Sequence, residues 1–144
     1  MTRVDFYFNA ADKLQVACRL AGKATAQGKR LLVFAPEADT AQRIDRLLWT
    51  WPATGFLPHC RAEDALAGVT PVLIAAQADA MLGCDILLNL SADPPPSFER
   101  FERLLEVVSG EEADRLGARA RYRFYRERGY GIADHDLTGR AGHE

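Results

Sequence analysis

The stretch Arg30 to Ala35, RLLVFA, is apolar at nearly every position, and it limits what this chain can become more than any other segment. A strand with one wet face alternates apolar and polar residues, so near-continuous hydrophobicity suits a strand covered on both faces and placed centrally in a sheet. The neighbouring segments supply the cover. Leu14, Ala17, Cys18 and Ala21 recur at i, i+3, i+4 and i+7, the period of a helix with one apolar face, and that pattern dissolves at Gly28. Ala41, Ile44, Leu47 and Leu48 mark a second amphipathic helix reaching Trp49. With Val4 to Phe8 (VDFYF) as an opening strand, the order is β-α-β-α. An α/β domain with a mostly parallel sheet of about five strands flanked by helices is therefore expected.

The remaining elements follow from breakers and periodicity. Trp51 to Cys60 carries Pro52, Gly55 and Pro58, which leaves room only for a short edge strand around Phe56. An aromatic residue so placed suits a partner-facing surface, and a satellite core position accounts for it equally well. Two more strands are expected at Val72 to Ala75 and Asp85 to Leu90, and the run Asp93-Pro94-Pro95-Pro96 is read as the end of the sheet-forming half. Ser97 resembles an N-cap, with Phe98, Phe101, Leu104, Leu105 and Val108 behind it at helical spacing until Gly110. A last helix runs from Glu111 to Arg128, acids first and arginines last, with Gly129 as its cap. Beyond Tyr130 the apolar content is too low to pack. The expected division is one domain over residues 1–132 and a disordered tail over 133–144.

Charge narrows the class. A formal charge of −2 argues against a surface built wholly to coat nucleic acid. It conceals an asymmetry, because the stretch from Arg115 to Arg128 carries +5 and the remainder −7. The N-terminal residues place acids and an asparagine where a signal peptide needs an unbroken apolar run, and no segment approaches the length of a membrane span, so a cytoplasmic protein is expected. Cys18, Cys60 and Cys84 are odd in number and form no CxxC pair, which suits free thiols in a reducing compartment.

Motifs for chemistry are sparse. Neither GxGxxG nor GxxxxGK[ST] occurs, and Gly28-Lys29 precedes a strand instead of opening a helix, so no phosphate-binding loop and no cofactor are expected. His59-Cys60 pairs an imidazole with a thiol, but adjacent residues in extended chain point to opposite faces. The run Asp134-His135-Asp136 reads as solvated chain and not as a metal site. No catalytic residue and no metal ligand is assigned.

The last helix carries the clearest pattern. Arg115, Arg119, Tyr122, Arg123 and Arg126 fall on one stripe, with Leu116, Ala120 and Phe124 on a neighbouring apolar stripe. Guanidinium groups interleaved with an aromatic ring suit a carboxylate beside an apolar side chain. Single-stranded nucleic acid would also fit, and an ordinary solvated helix face accounts for the same pattern.

The runs Gly28 to Val33 (GKRLLV), Ala41 to Trp49 (AQRIDRLLW), Phe56 to His59 (FLPH), Pro71 to Ile74, Asp85 to Leu90 and Arg119 to Arg126 (RARYRFYR) followed by Gly129-Tyr130 together resemble the chi subunit of bacterial DNA polymerase III. The resemblance spans about residues 1 to 132 and implies a single Rossmann-like α/β domain without a cofactor. It implies a non-enzymatic adaptor that joins the clamp loader through the small psi subunit or another clamp-loader subunit, and that binds the acidic C-terminal tip of single-stranded DNA-binding protein. Tip-binding positions carry over onto Trp49, Val108, Arg115, Arg119, Tyr122 and Arg123, and the psi contact onto the neighbourhood of Phe56. Association with a repair helicase is a further partner the resemblance allows, while direct contact with DNA is expected to be weak. A direct single-strand binder using the same arginines is the alternative function, followed by an α/β enzyme lacking a recognised motif.

Overall fold

The computed structural model describes residues 1–50, 57–78 and 83–138. Seven strands form one sheet in the order β3-β4-β2-β5-β6-β1-β7: β1 Arg3–Ala10, β2 Leu31–Phe34, β3 His59–Arg61, β4 Val72–Ala75, β5 Ile86–Asn89, β6 Arg103–Ser109 and β7 Ile132–Asp136. Every pairing is parallel. Among the described residues three α-helices cover it: α1 Lys13–Ala26, α2 Ala38–Thr50 and α3 Glu112–Glu127.

Each position of β2, β4 and β5 is buried, as a doubly covered strand requires. Side-chain alternation divides the core in two. Leu31, Val33, Ile74, Leu88, Leu105 and Val107 meet α1 and α2 on one face, while Leu32, Phe34, Leu73, Leu87 and Leu104 meet α3 and the short turn Phe98–Arg100 on the other. Asp12 caps α1 by accepting from the Gln15 N–H at 3.2 Å. Gly129 takes a positive φ of 83° at the end of α3, where its N–H reaches the Arg126 carbonyl and that of Tyr130 reaches Tyr125. Cys18 and Cys84 are buried free thiols, and burial pushes Cys18 up to about 12. His59 and Cys60 lie on β3 and diverge, the imidazole toward α2 and the thiol toward the opposite face.

The structure corrects four expectations. Residues 98–108 do not form a helix; after one tight turn they become β6, the strand between β5 and β1. Phe98, Phe101, Leu104, Leu105 and Val108 satisfy helical spacing, yet Leu104 to Val108 is also a fully buried run with two valines, which a covered strand accommodates better. The proline triplet accordingly does not end the sheet. The segment after Tyr130 does not fray from residue 133, because Ile132–Asp136 pairs with β1 as an edge strand. Such a strand is covered on one side and needs little apolar content. At the opposite edge β3 lies at His59–Arg61, beyond Pro58; the strand expected around Phe56 falls outside the described residues. Last, Leu116 and Ala120 do not pack: Leu116 is 54% exposed, and α3 turns Ala118, Arg121 and Tyr125 inward.

Candidate functional site

An arginine on the inner face of α3 decides how that helix sits. Arg121 Nε lies 3.0 Å from Glu106 Oε1, and an Nη1 hydrogen bond of 2.9 Å goes to the Ala92 carbonyl. Glu106 Oε2 accepts from the Tyr125 hydroxyl at 2.6 Å and from Asn89 Nδ2 at 2.9 Å. Burial pushes the Glu106 carboxyl upward from its ordinary value, while the Arg121 charge and these donors pull against it. Gly117 makes room for the pair, since a Cβ there would stand 3.3 Å from Arg121 Nη1. That accounts for a glycine inside a helix, where it costs about 1 kcal/mol relative to alanine. At the N-terminus of α3 the Asp114 carboxylate accepts from the Ser109 N–H at 2.8 Å and pairs with Lys13 at 2.9 Å. Burial raises its pKa, but these contacts outweigh burial and hold the group below its ordinary value.

Two of the six arginines counted in the basic stretch do not line the surface formed by the others. Arg121 is buried against Glu106, and Arg128 lies with its guanidinium carbon 3.6 Å from the Phe124 ring centroid. The other four, Arg115, Arg119, Arg123 and Arg126, line one wall of a crevice of about 610 Å³. Its floor is apolar: Phe8 from β1, Val108 from β6, Ala118 and the Tyr122 ring. The far wall is β7, with Asp134 and Asp136. Tyr122 lies 4.9 Å from Phe6 between ring centroids, its hydroxyl donates to Asp134 Oδ2 at 3.2 Å, and Arg126 sits 5.9 Å from its ring. Partial burial and the Asp134 carboxylate push the Tyr122 hydroxyl above its ordinary value, so it stays a neutral donor.

Local backbone brings this wall and floor together. β1 leaves its regular register between Tyr7 and Ala10, and Asn9 adopts φ 62°, a left-handed conformation that asparagine tolerates better than most residues. Its Nδ2 then reaches Asp136 Oδ1 at 2.8 Å. On the other face of the sheet Asp5 gathers Arg103 Nη2 at 2.9 Å and His135 Nε2 at 3.0 Å, fastening β6 and β7 to β1. Burial raises the Asp5 pKa, yet the contacts with His135 and Arg103 prevail and hold it below its ordinary 3.8.

Five of the six positions assigned to tip binding, Val108, Arg115, Arg119, Tyr122 and Arg123, therefore line one crevice. Val108 is only 2% exposed and forms part of the floor. Trp49 is not brought together with them: it stands 61% exposed near the end of α2, a helix on the opposite sheet face, with its ring 4.9 Å from that of His59. Arg126 is legible from the helical stripe but is not among the assigned positions. Phe8 follows from alternation with Val4 and Phe6, whereas Asp134 and Asp136 give no signal while their segment reads as tail.

A larger crevice of about 1020 Å³ opens at the carboxyl ends of the strands, where ligands of open α/β sheets commonly bind. Asp12, Glu37, Glu111 and Asp114 line it, with Lys13 committed to Asp114 and Arg43 4.0 Å from Asp39. That lining has the wrong sign for phosphate. Among the described residues there is no group of three or more His, Cys, Asp or Glu able to hold a metal ion, and no helix long and apolar enough to cross a membrane.

Comparison with known proteins agrees on one family. Residues 1–133 match the sequence profile of the family described as DNA polymerase III chi subunit, HolC. The chain is 42% identical over 143 residues to the DNA polymerase III subunit chi of Pseudomonas aeruginosa, covering 95% of this chain and 98% of that one. It is 32% identical over 119 residues to the Escherichia coli subunit chi, covering 82% and 81%. The Haemophilus influenzae subunit chi is 27% identical over 124 residues, covering 85% and 86%.

Proposed function

This chain belongs to the DNA polymerase III chi subunit family, and we propose that within DNA replication it is a non-catalytic cytoplasmic adaptor linking the clamp loader to single-stranded DNA-binding protein. On this reading, the crevice of α3 holds the acidic C-terminal tip of that protein. The observation that carries the reading is the convergence of four arginines and an apolar floor in one crevice. A tip ending in phenylalanine presents a carboxylate next to a ring. Arginine takes the carboxylate in a bidentate fork, and a floor of Phe8, Val108 and Tyr122 suits the ring.

The opposite end of the sheet is the proposed attachment to psi or another clamp-loader subunit. Support there is β3, the outermost strand on that side among the described residues, with Trp49 exposed beside it and Phe56 nearby in sequence. The two attachments would then use distant surfaces of one domain, as an adaptor requires, and a repair helicase would compete for the psi side. The test is a pull-down from native extract with the full chain as bait. Retention of both single-stranded DNA-binding protein and a clamp-loader subunit supports the adaptor reading; loss of the first from a chain that keeps the second removes tip binding from it.

A further inference from the structure

The crevice beside α3 has walls of opposite sign. All four arginines stand on the helix, both carboxylates stand on β7, and the apolar floor lies between. A site serving anions in general would gain nothing from the second wall. We propose that the β7 carboxylates, Asp134 foremost, determine specificity: they admit a peptide end and turn away single-stranded nucleic acid. This inference rests on the acidic-peptide reading above and assigns Asp134 a part in it.

The chemistry lies in what each ligand can offer the far wall. A phosphodiester backbone brings a negative charge with every nucleotide and only acceptor oxygens. A peptide brings an N–H donor with nearly every residue. Both satisfy arginines, but only the peptide's backbone satisfies a carboxylate as well, because an ionised carboxylate accepts hydrogen bonds and donates none, and a nucleic acid carries its N–H donors on the bases, away from the phosphates that the arginines hold. Asp134 is exposed, and the one bond it takes from the Tyr122 hydroxyl at 3.2 Å leaves acceptor capacity, since a carboxylate offers about four lone-pair sites. Discrimination by building in a repulsive element is a general route to specificity.

The wall is also held in place. Asp136 accepts from Asn9 Nδ2 at 2.8 Å and from the Thr138 N–H at 2.9 Å, and β7 is fastened to β1 through His135 and Asp5. With both aspartates the charged groups lining the crevice sum to +2, and without them to +4. Nucleic-acid binding follows the number of phosphates neutralised, so that change acts mainly on the oligonucleotide. The peptide gains in field but loses acceptors for its amides.

The experiment uses the full chain, its Asp134→Asn variant and the Asp134→Asn/Asp136→Asn double variant. Each is titrated with a short acidic peptide ending in phenylalanine and with a single-stranded oligothymidylate, at low and moderate salt, with circular dichroism for folding. The expected result is that the parent prefers the peptide, and that the double variant binds oligothymidylate roughly tenfold more tightly at low salt with a steeper salt dependence. Its peptide affinity should move by less than about threefold, so the preference narrows. If both ligands gain equally, or neither moves, the β7 wall has no part in specificity, while peptide binding by the parent still stands. A parent that fails to bind the peptide overturns the peptide reading and this inference with it.

Discussion

Arg121 and Glu106 meet at 3.0 Å with side chains only 3% and 0% exposed, so an arginine from the most basic stretch of the chain lies in its interior. The pair joins α3 to β6, and through them sets which arginines face the crevice. Removing one partner of a buried pair leaves an uncompensated charge, whereas removing both charges together costs much less.

Arg121→Met should therefore destabilise the fold by about 3–5 kcal/mol, measured by urea denaturation. Glu106→Gln/Arg121→Met should recover most of that loss, because the amide that replaces the carboxylate keeps an acceptor oxygen for Tyr125 and Asn89. If the single variant melts like the parent, the pair is not what anchors α3.

Arg119→Glu reverses charge at an exposed position of the crevice wall. The variant should fold normally and lose detectable binding to the acidic peptide, which the parent should hold near the micromolar level, about −8 kcal/mol, more weakly at high salt. Deleting the terminal phenylalanine from the peptide should cost more than neutralising one upstream acid, since both ring and carboxylate position are lost. Calorimetry at two salt concentrations measures this. A folded Arg119→Glu protein with parental affinity would return the stripe to an ordinary solvated face.

Trp49 stands on the far sheet face, so Trp49→Ala should change peptide affinity by no more than about twofold, well under the roughly 1.4 kcal/mol of a tenfold effect. Phe56→Ala should weaken capture of a psi-like subunit and leave the peptide titration unchanged. Should Trp49→Ala abolish peptide binding in a folded protein, the crevice as drawn lacks one of its walls.

Acid should unfold the domain partly through Asp5 and Asp114, whose carboxyls lie below their ordinary 3.8 in the folded chain. A depressed carboxyl pKa contributes stability that is present above the unfolded value and is lost as pH falls through the folded one. Asp5→Asn should thus lower stability at neutral pH and flatten its decline below about pH 4. Denaturation at a series of pH values checks this, and parallel curves for parent and variant would discount Asp5.

The buried parallel strands are legible because LLVFA and VLIA have no residue to show to water, and α3 is legible from its acids, arginines and terminal glycine. Residues 98–108 are not, since their spacing fits a helix while their burial fits a strand, and only the gap between β5 and β1 decides. β7 is hidden because a half-covered edge needs few apolar residues. In the site, periodicity aligns Arg115, Arg119, Tyr122 and Arg123, but it cannot tell that Arg121 faces a buried carboxylate, or that Asp134 stands across the crevice. Both facts depend on strands that pair with segments distant in sequence.

β1 lies between β6 and β7, with Val4 opposite both Leu104 and Ile132. During synthesis, β1 thus has no neighbour in the sheet until β6, distant from it in sequence, has followed. Val4 and Phe6 stay uncovered through that interval, and contacts so distant in sequence form slowly. A nascent chain halted before β6 would expose an apolar strand with two open edges, the kind of surface that invites aggregation or chaperone capture. Production of this subunit should then depend on how quickly translation carries the chain from β1 to β6.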